Sequence, residues 1–537
     1  MGIDAKSAKG AQLIYPNFAG SKPGTRVNFW DYDAKERGWF MYGQGAVSAD
    51  GKQVVPDPGV VIYEFTGAMI AKPDLAPPMG PPTCGAKGGD PVDLFTGLFL
   101  NEETDVVIND VTPISISRSF RPADDTSRSF GIGTSLNYDT YLVGDAYPYT
   151  YQYVILPDGG KILFQRVSPG GGYTDAVYKS VGCNGSIYAG AILKWDSTYP
   201  GATWSVTLKD GTVHYYPMSY NAADYRAAAL VGIRDRNGNL TTLTRSSGTG
   251  LTKVTSPNGR TVSLTYDSAG RISKITDDIA REWKYEYDGQ SRLVKAIDPL
   301  NNFRQYTYET KAVDPSKSIG GVTSTTNMLT VVDKRGNTMV TNVFDDAGRV
   351  SKQTYADGST MSFSFGTTTV KTPPRLIITC WVSGGGTSAP GTGWSGDGAT
   401  ANHCMSYGPG IAVVNQVDTT DERGMQSRYA FDQFGNVTKL TRAVGLPEQQ
   451  VTVNNRDEFD GHLKSRVDPL GRKTVFEYDL LGNITKTTWL AETANAVSTS
   501  TTYDPVYSRP LTSTDLNGNT SMMQYDAFGN LTRFTDP

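Results

Sequence analysis

A chain of 537 residues with a formal charge of −4 and no long basic run has neither the electrostatic footprint of a nucleic-acid binder nor a polybasic patch for anionic lipid. Its 38% hydrophobic content, 58 glycines and 30 tyrosines, against 19 phenylalanines and 8 tryptophans, favour an all-β fold rich in turns, too long for one ordinary domain. Four cysteines without a C-x-x-C pair argue against a zinc site and a disulfide scaffold.

In chain order, residues 1–21 read as a flexible lead. The opening MGIDAKSAKGAQL lacks the apolar core of a secretory signal, and no later stretch approaches the ~18 apolar residues of a membrane span. Residues 22–70 predict a small β module. VNFWDYD alternates, Ala-Asp-Gly-Lys forms a turn and GVVIYEF is a buried strand, with Trp30, Trp39, Tyr42 and Tyr63 in its core. Residues 71–88 are a Pro/Gly linker. Residues 89–230 predict an opening β region. DLFTGLFL enters a strand, ETDVVIND and TPISISRSF alternate, and LPDGGKILFQRV and WSVTLKDGTVHYYP are strands around Gly turns. ADYRAAALV predicts a short helix. Asp235, Asn237 and Asn239 hint at a calcium loop, but no Glu stands at the twelfth position, so a plain turn is favoured.

From 231 to 537 one skeleton recurs: aromatic, Asp, two residues, Gly, Asn or Arg, then an apolar residue. Its copies are Tyr266, Asp267 and Gly270; Phe344, Asp345 and Gly348; Phe431, Asp432 and Gly435; Tyr478, Asp479 and Gly482; and Tyr525, Asp526 and Gly529. Looser copies begin at Tyr287-Asp288, Phe459-Asp460 and Tyr503-Asp504. The aromatic ends a strand. Asp accepts the N–H two residues on, Gly supplies positive φ, and an alternating strand follows. Each copy is a hairpin tip, and DPLGR- and DLNGN-type turns between copies close the other ends. Repetition at steps of 21–25 residues fixes the architecture before anything else.

A Gly/Ser/Thr-rich insertion at about 366–422 interrupts the repeats and predicts a long surface loop. Cys380 and Cys404 flank it as a candidate disulfide; Cys84 and Cys183 are read as unpaired or distant. Trp381, Trp394 and Tyr407 are its candidate ligand contacts. No G-x-S-x-G, H-E-x-x-H, Walker A or dinucleotide fingerprint is present. The three histidines are His214, His403 and His462, and His403 beside Cys404 points away from it. The many Asp follow the turns. No catalytic, metal or cofactor residue is assigned.

The repeats resemble the YD repeats of the Rhs family, shared with shell subunits of insecticidal toxin complexes and with teneurins. The "GDPV…TG" start at 89–97 resembles the opening of Rhs shells. Phe130–Leu142 resembles the family's "GxGWxxxY" strand, with Ser135 and Leu136 where its Trp is usual. The resemblance implies a large curved β-sheet spiral forming part of a cocoon. The function implied is the non-catalytic shell portion of a polymorphic toxin, secreted or cell-surface in a bacterium, that encapsulates a C-terminal toxin. Neither the toxin nor its cleavage boundary occurs before Pro537. The implied partners are remaining C-terminal repeats with the toxin domain, or a partner shell subunit. The alternative reading is a surface adhesin or carbohydrate-binding repeat protein with a glycan partner. An autonomous enzyme is a third reading and requires a carboxylate or His cluster in a deep pocket.

Overall fold

The computed structural model describes residues 6–17, 23–33, 38–64, 68–71, 85–122, 124, 126–144, 149–169, 172–181, 186–219, 225–246, 250–312, 324–369, 377–380, 402–405, 412–432, 435–457 and 461–537. The chain divides into two compact units, Met1–Leu75 with Thr369–Ile411, and Ala76–Thr368 with Ala412–Pro537.

The first unit holds a five-stranded antiparallel sheet. Its order is Tyr15–Pro16, Gln53–Pro56, Gly38–Val47, Arg26–Asp33 and Ala68–Ala71. Val27, Phe29, Val47 and Val54 form its core, and the Tyr15 ring meets Phe29 edge-on at 5.7 Å. The flexible lead expected over residues 1–21 is therefore corrected. Lys6–Ala11 pairs with Ile62–Glu64 and Tyr15–Pro16 pairs with Gln53–Pro56, because Tyr15 supplies apolar surface that the small core lacks. The insertion contributes a hairpin, Ile377–Cys380 with Asn402–Met405. Its register sets Cys380 opposite Asn402 and Cys404 opposite Ile378, so the cysteines stand two residues apart in register. Trp381, Trp394 and Tyr407 lie outside the described residues.

The second unit is built on one antiparallel sheet. Among the described residues it has thirty strands, from Tyr141–Gly144 to Leu531–Thr535, each beside its sequence neighbour. The order departs from strict succession once, where Thr360–Thr369 neighbours Ala412–Thr420 across the insertion. The sheet thus reaches further into that stretch than the repeat pattern indicated. The expected helix after Ala223 is one short 3-10 turn, Tyr225–Ala228.

Alternation decides which face is buried. In Thr261–Tyr266, Val262 and Leu264 are buried while Ser263 and Thr265 are exposed; in Glu282–Tyr287, Trp283 and Tyr285 are buried while Lys284 and Glu286 are exposed. This period of two leaves one apolar face to be covered. The cover is a hairpin, Asn101–Ile108 with Ile114–Phe120, extended by Thr134–Leu136. Its Val106, Ile114, Ile116 and Phe120 join Leu264, Ile275, Trp283 and Tyr306 in one continuous core.

Candidate functional site

The repeat tips share one construction. At Asp267, one carboxylate oxygen accepts the backbone N–H of Ala269 (2.9 Å) and of Arg271 (3.0 Å), and the other accepts Arg271 Nε at 2.8 Å. Gly270 N–H donates to the Asp267 carbonyl, and Asp267 N–H to the Arg271 carbonyl. This is a type I turn closed by a bulge, the common frame of a longer hairpin loop. Gly270 sits at φ +75° with open space where a Cβ would project, so backbone conformation alone selects glycine there. Burial raises the Asp267 carboxyl, and its bonds with Arg271 outweigh that and hold it below its ordinary value. Asp288, Asp345, Asp479 and Asp526 repeat the pattern, with Arg292, Arg349, Asn483 and Asn530 as the fourth residue. Asp432 bonds Asn436 likewise. Gly348, Gly435, Gly482 and Gly529 all have positive φ; at the Asp288 tip Ser291 takes that position at φ 64°.

The signature aromatics divide by chemistry. Tyr266, Tyr287, Tyr478 and Tyr525 each donate a hydroxyl to a backbone carbonyl of the preceding hairpin, at 2.6–3.0 Å. Phe344 and Phe431 carry no hydroxyl and are buried; Phe431 meets Phe95 edge-on at 5.6 Å. Tyr503 and Asp504 form a longer tip, and Phe459 and Asp460 lie outside the described residues. Sequence reading expected Asp as acceptor and Gly at positive φ in these tips. It missed the pairing of Asp with the fourth residue, whose signal is the recurrence of Arg or Asn at that spacing.

Opposite these tips runs the segment 89–139, which stitches itself to the repeat edge. Ile272 N–H donates to the Ser129 carbonyl, Ile132 N–H to Ser291, Thr326 N–H to Pro122 and Val350 N–H to Gly97, at 2.8–3.0 Å. A Cβ on Gly131 would stand 2.2 Å from the Ser291 carbonyl oxygen, so this close approach requires glycine. Two buried charge groups anchor the cover. Arg118 forks onto Asp105 at 2.6 and 3.0 Å and reaches the Tyr306 hydroxyl, while the Tyr285 hydroxyl donates to Asp105 at 2.7 Å. Asp124 is held by Arg121 and Arg128 at 2.6 and 2.7 Å. Burial alone would raise the Asp124 carboxyl; the two guanidinium groups outweigh it and hold it at about 2. Such paired, desolvated ions fix geometry and are not free to react.

Two comparisons bear on these features. The family model described as a domain of unknown function, DUF6531, matches residues 89–164, the stitching segment and the first strands. The RHS Repeat model matches residues 247–278 and 460–493, which contain the tips at Asp267 and Asp479. The chain carries Rhs/YD repeats. No curated protein matches it. Among solved structures, this Rhs/YD-repeat protein is similar to TcdB2-TccC3 without its hypervariable C-terminal region, at 11% identity and a TM-score of 0.34, over 80% of this chain and 21% of that one. It is similar to TcdB2-TccC3 at 10% identity and a TM-score of 0.33, over 94% and 27%. The Tc holotoxin pore of Photorhabdus luminescens matches at 11% identity and a TM-score of 0.28, over 78% and 20%. The chain thus spans about a quarter or less of those structures' length.

The Rhs/YD-repeat chain shows no catalytic arrangement among its described residues. No group of three or more His, Cys, Asp or Glu side chains is placed to hold a metal ion. Its histidines are dispersed: burial pushes His214 down to about 4 beside Tyr188, and the His462 ring lies tilted against Tyr478 with ring centres 4.4 Å apart. Among the described residues no helix is long and apolar enough to cross a membrane.

Proposed function

We propose that this chain is a wall portion of an Rhs-type shell, a non-catalytic β-cocoon that encloses a toxic polypeptide encoded C-terminally or carried by a partner. The observation that carries this reading is an incomplete cover on one continuous face. The packed core runs along the sheet as far as Phe431. Beyond it, strand register keeps Ile484, Trp489, Val497, Leu531 and Phe534 on the face that bears Tyr478 and Tyr525. There they are 38–56% exposed. Trp489 stands directly opposite Val497, and Phe534 opposite Met523. An apolar sheet face left open beside a finished core is a surface for another polypeptide.

The partners on this reading are further repeats with the toxin domain, or a second shell subunit. The setting is export from a bacterium in competition with its neighbours. The test is co-expression of the chain with further repeats and a tethered C-terminal polypeptide, followed by limited proteolysis and cryo-electron microscopy. Protection of the tethered polypeptide inside a closed density, lost in Trp489→Asp/Phe534→Asp, is the expected outcome. A polypeptide cleaved as fast as when free overturns it. Glycan binding that depends on residues 381–407 would instead establish the adhesin reading.

A further inference from the structure

The sheet's strands run edge to edge, so its hairpin tips form two rows. Tips of the Asp479 and Asp526 type lie along one row, and tips around Lys209 and Arg236 along the other. Late tips of the first row touch early tips of the second. Lys209 Nζ donates to Asn483 Oδ1 at 3.2 Å, and Arg236 Nη2 to Asn530 Oδ1 at 3.1 Å. Asn530 Nδ2 reaches Asn237 Oδ1 at 3.3 Å, and Lys179 Nζ donates to the Leu480 carbonyl. The contact is closely fitted. A Cβ on Gly190 would meet the Leu481 carbonyl oxygen at 2.6 Å, and one on Gly211 the Tyr507 ring at 2.6 Å. Burial in this seam lowers the Lys209 ammonium, with Asp479 opposing.

Which tips dock follows from charge. In the tips Asp267–Arg271, Asp277–Arg281, Asp288–Arg292, Asp345–Arg349 and Asp468–Arg472, the arginine ion-pairs its own aspartate. Asp267–Arg271, Asp288–Arg292 and Asp468–Arg472 are thereby neutral, while Asp277–Arg281 and Asp345–Arg349 carry a further carboxylate, Asp278 and Asp346, which pairs with Arg260 and Lys311 from outside. Among the described residues no Lys or Arg from outside bonds the side chains of the five leading aspartates. Where Asn replaces Arg and the tip holds no other cation, as in Asp298–Asn302, Asp479–Asn483 and Asp526–Asn530, the aspartate charge stays uncompensated within the tip; Asp235–Asn239 and Asp333–Asn337 instead carry Arg236, and Lys334 with Arg335. The uncompensated tips attract cations: Lys334 bonds Asp298 of Asp298–Asn302 at 2.8 Å, and Lys209 and Arg236 take Asn483 and Asn530. The cation in each case is the second residue of another tip, following Asp333, Leu208 and Asp235.

We infer that the residue four places after the tip aspartate is a docking code. Arginine pairs with the tip aspartate and leaves that carboxylate no cation from another tip, whereas asparagine leaves the aspartate open to a Lys or Arg where another tip presents one. Asn483 and Asn530 thereby close the late hairpins onto Lys209 and Arg236, and lock this sheet against itself. The code extends the shell reading but does not depend on an enclosed guest. It acts through local charge, which ordinary salt screens only weakly at a half-buried contact.

Hydrogen–deuterium exchange on the full chain tests it. In Asn483→Arg/Asn530→Arg each new guanidinium can pair with Asp479 or Asp526, as Arg271 does with Asp267, so the turns survive while the seam loses its acceptors. The expected result is about tenfold or faster exchange at 189–191, 208–211 and 479–483, the scale of a lost charged hydrogen bond, with the 254–306 core unchanged. Lys209→Glu/Arg236→Glu should open the same amides through repulsion. Asn519→Arg neutralises the tip Asp515–Asn519, which seats no cation among the described residues, and should leave the seam closed. Unchanged exchange in both double variants, or equal opening by Asn519→Arg, overturns the inference. None of these readouts involves a guest, so they stand or fall apart from encapsulation.

Discussion

Tyr287 donates its hydroxyl to the carbonyl of Ile272, fifteen residues earlier, at 2.6 Å. The pairs Tyr266–Leu251, Tyr308–Leu293, Tyr478–Leu463 and Tyr525–Pro510 keep the same separation. The acceptor is the first strand residue after the preceding tip, or for Leu251 the second, so each tyrosine ties its own hairpin to the one before it. Repeat length is thereby tied to a hydrogen bond as well as to strand pairing.

Tyr287→Phe tests that tie. The ring would keep its place under the Arg271 guanidinium, 4.3 Å from its centre, so packing and the cation–π contact are retained. Only the hydroxyl is lost, and the Ile272 carbonyl loses a partner in a buried place. The expected cost is about 1 kcal/mol, read as a lower midpoint in urea unfolding. Tyr503→Phe, where the tie spans nineteen residues at an exposed site, should move the midpoint less. Equal shifts would show that the regular spacing contributes nothing.

Asp93 sets a pH dependence. It is fully buried, one oxygen accepts the Thr96 N–H and hydroxyl, and the other has no partner. Burial pushes its carboxyl up to about 6, from 3.8. A carboxyl raised in the fold contributes stability that is present below the unfolded value and lost as pH climbs through the folded one. Wild type should therefore lose ground to Asp93→Asn between about pH 4 and 6, reaching about 3 kcal/mol above that window by the usual conversion. Below pH 4 the two should converge. A gap that stays constant from pH 4 to 8 would rule out titration of Asp93 as its source.

Much of the repeat region was legible because its rules are local. Asp and Gly at fixed offsets and a two-residue apolar period specify strand, turn and strand without reference to anything distant. The strand Tyr15–Pro16 was missed because two residues carry no period, and only the Phe29 ring it covers gives it a place. Arg118 with Asp105 reads in sequence as two unremarkable strand residues, and becomes a site only when the hairpin folds over Tyr285 and Tyr306. Lys209 and Asn483 lie 274 residues apart, and no propensity links them. What sequence did display was Asn against Arg in the tips, a difference whose meaning emerges once the rows touch.

Asp124 is the point where the cover is most sensitive to charge. Removing its charge in Asp124→Asn leaves Arg121 and Arg128 buried without the anion they share. Breaking a buried pair in this way costs about 3–5 kcal/mol. Asp124 is depressed in the fold, so its contribution is present above about pH 4 and fades as pH falls toward 2, the reverse of Asp93. Near-ultraviolet circular dichroism across an acid titration should show the variant already loosened at pH 7 and flatter below pH 4 than wild type.

Two glycines separate conformational from steric demand. Gly270 and Gly131 share positive φ, at +75° and +85°, so either alanine pays roughly 1 kcal/mol for the left-handed backbone. At Gly270 nothing lies within 4 Å of the new methyl group, whereas at Gly131 the Ser291 carbonyl oxygen lies at 2.2 Å. That oxygen accepts the Ile132 N–H, so it cannot withdraw without breaking the stitch. Non-glycine residues already occupy the same turn position at Ala280 and Asn301, which shows the Gly270 site tolerates the cost. Gly270→Ala should unfold within about 1 kcal/mol of wild type. Gly131→Ala should lose at least about 3 kcal/mol, in the range of overpacked cores, and should speed amide exchange at Ile132 and Ile272. Equal stabilities for the two variants would mean that segment 89–139 is not held against the repeat edge by this contact.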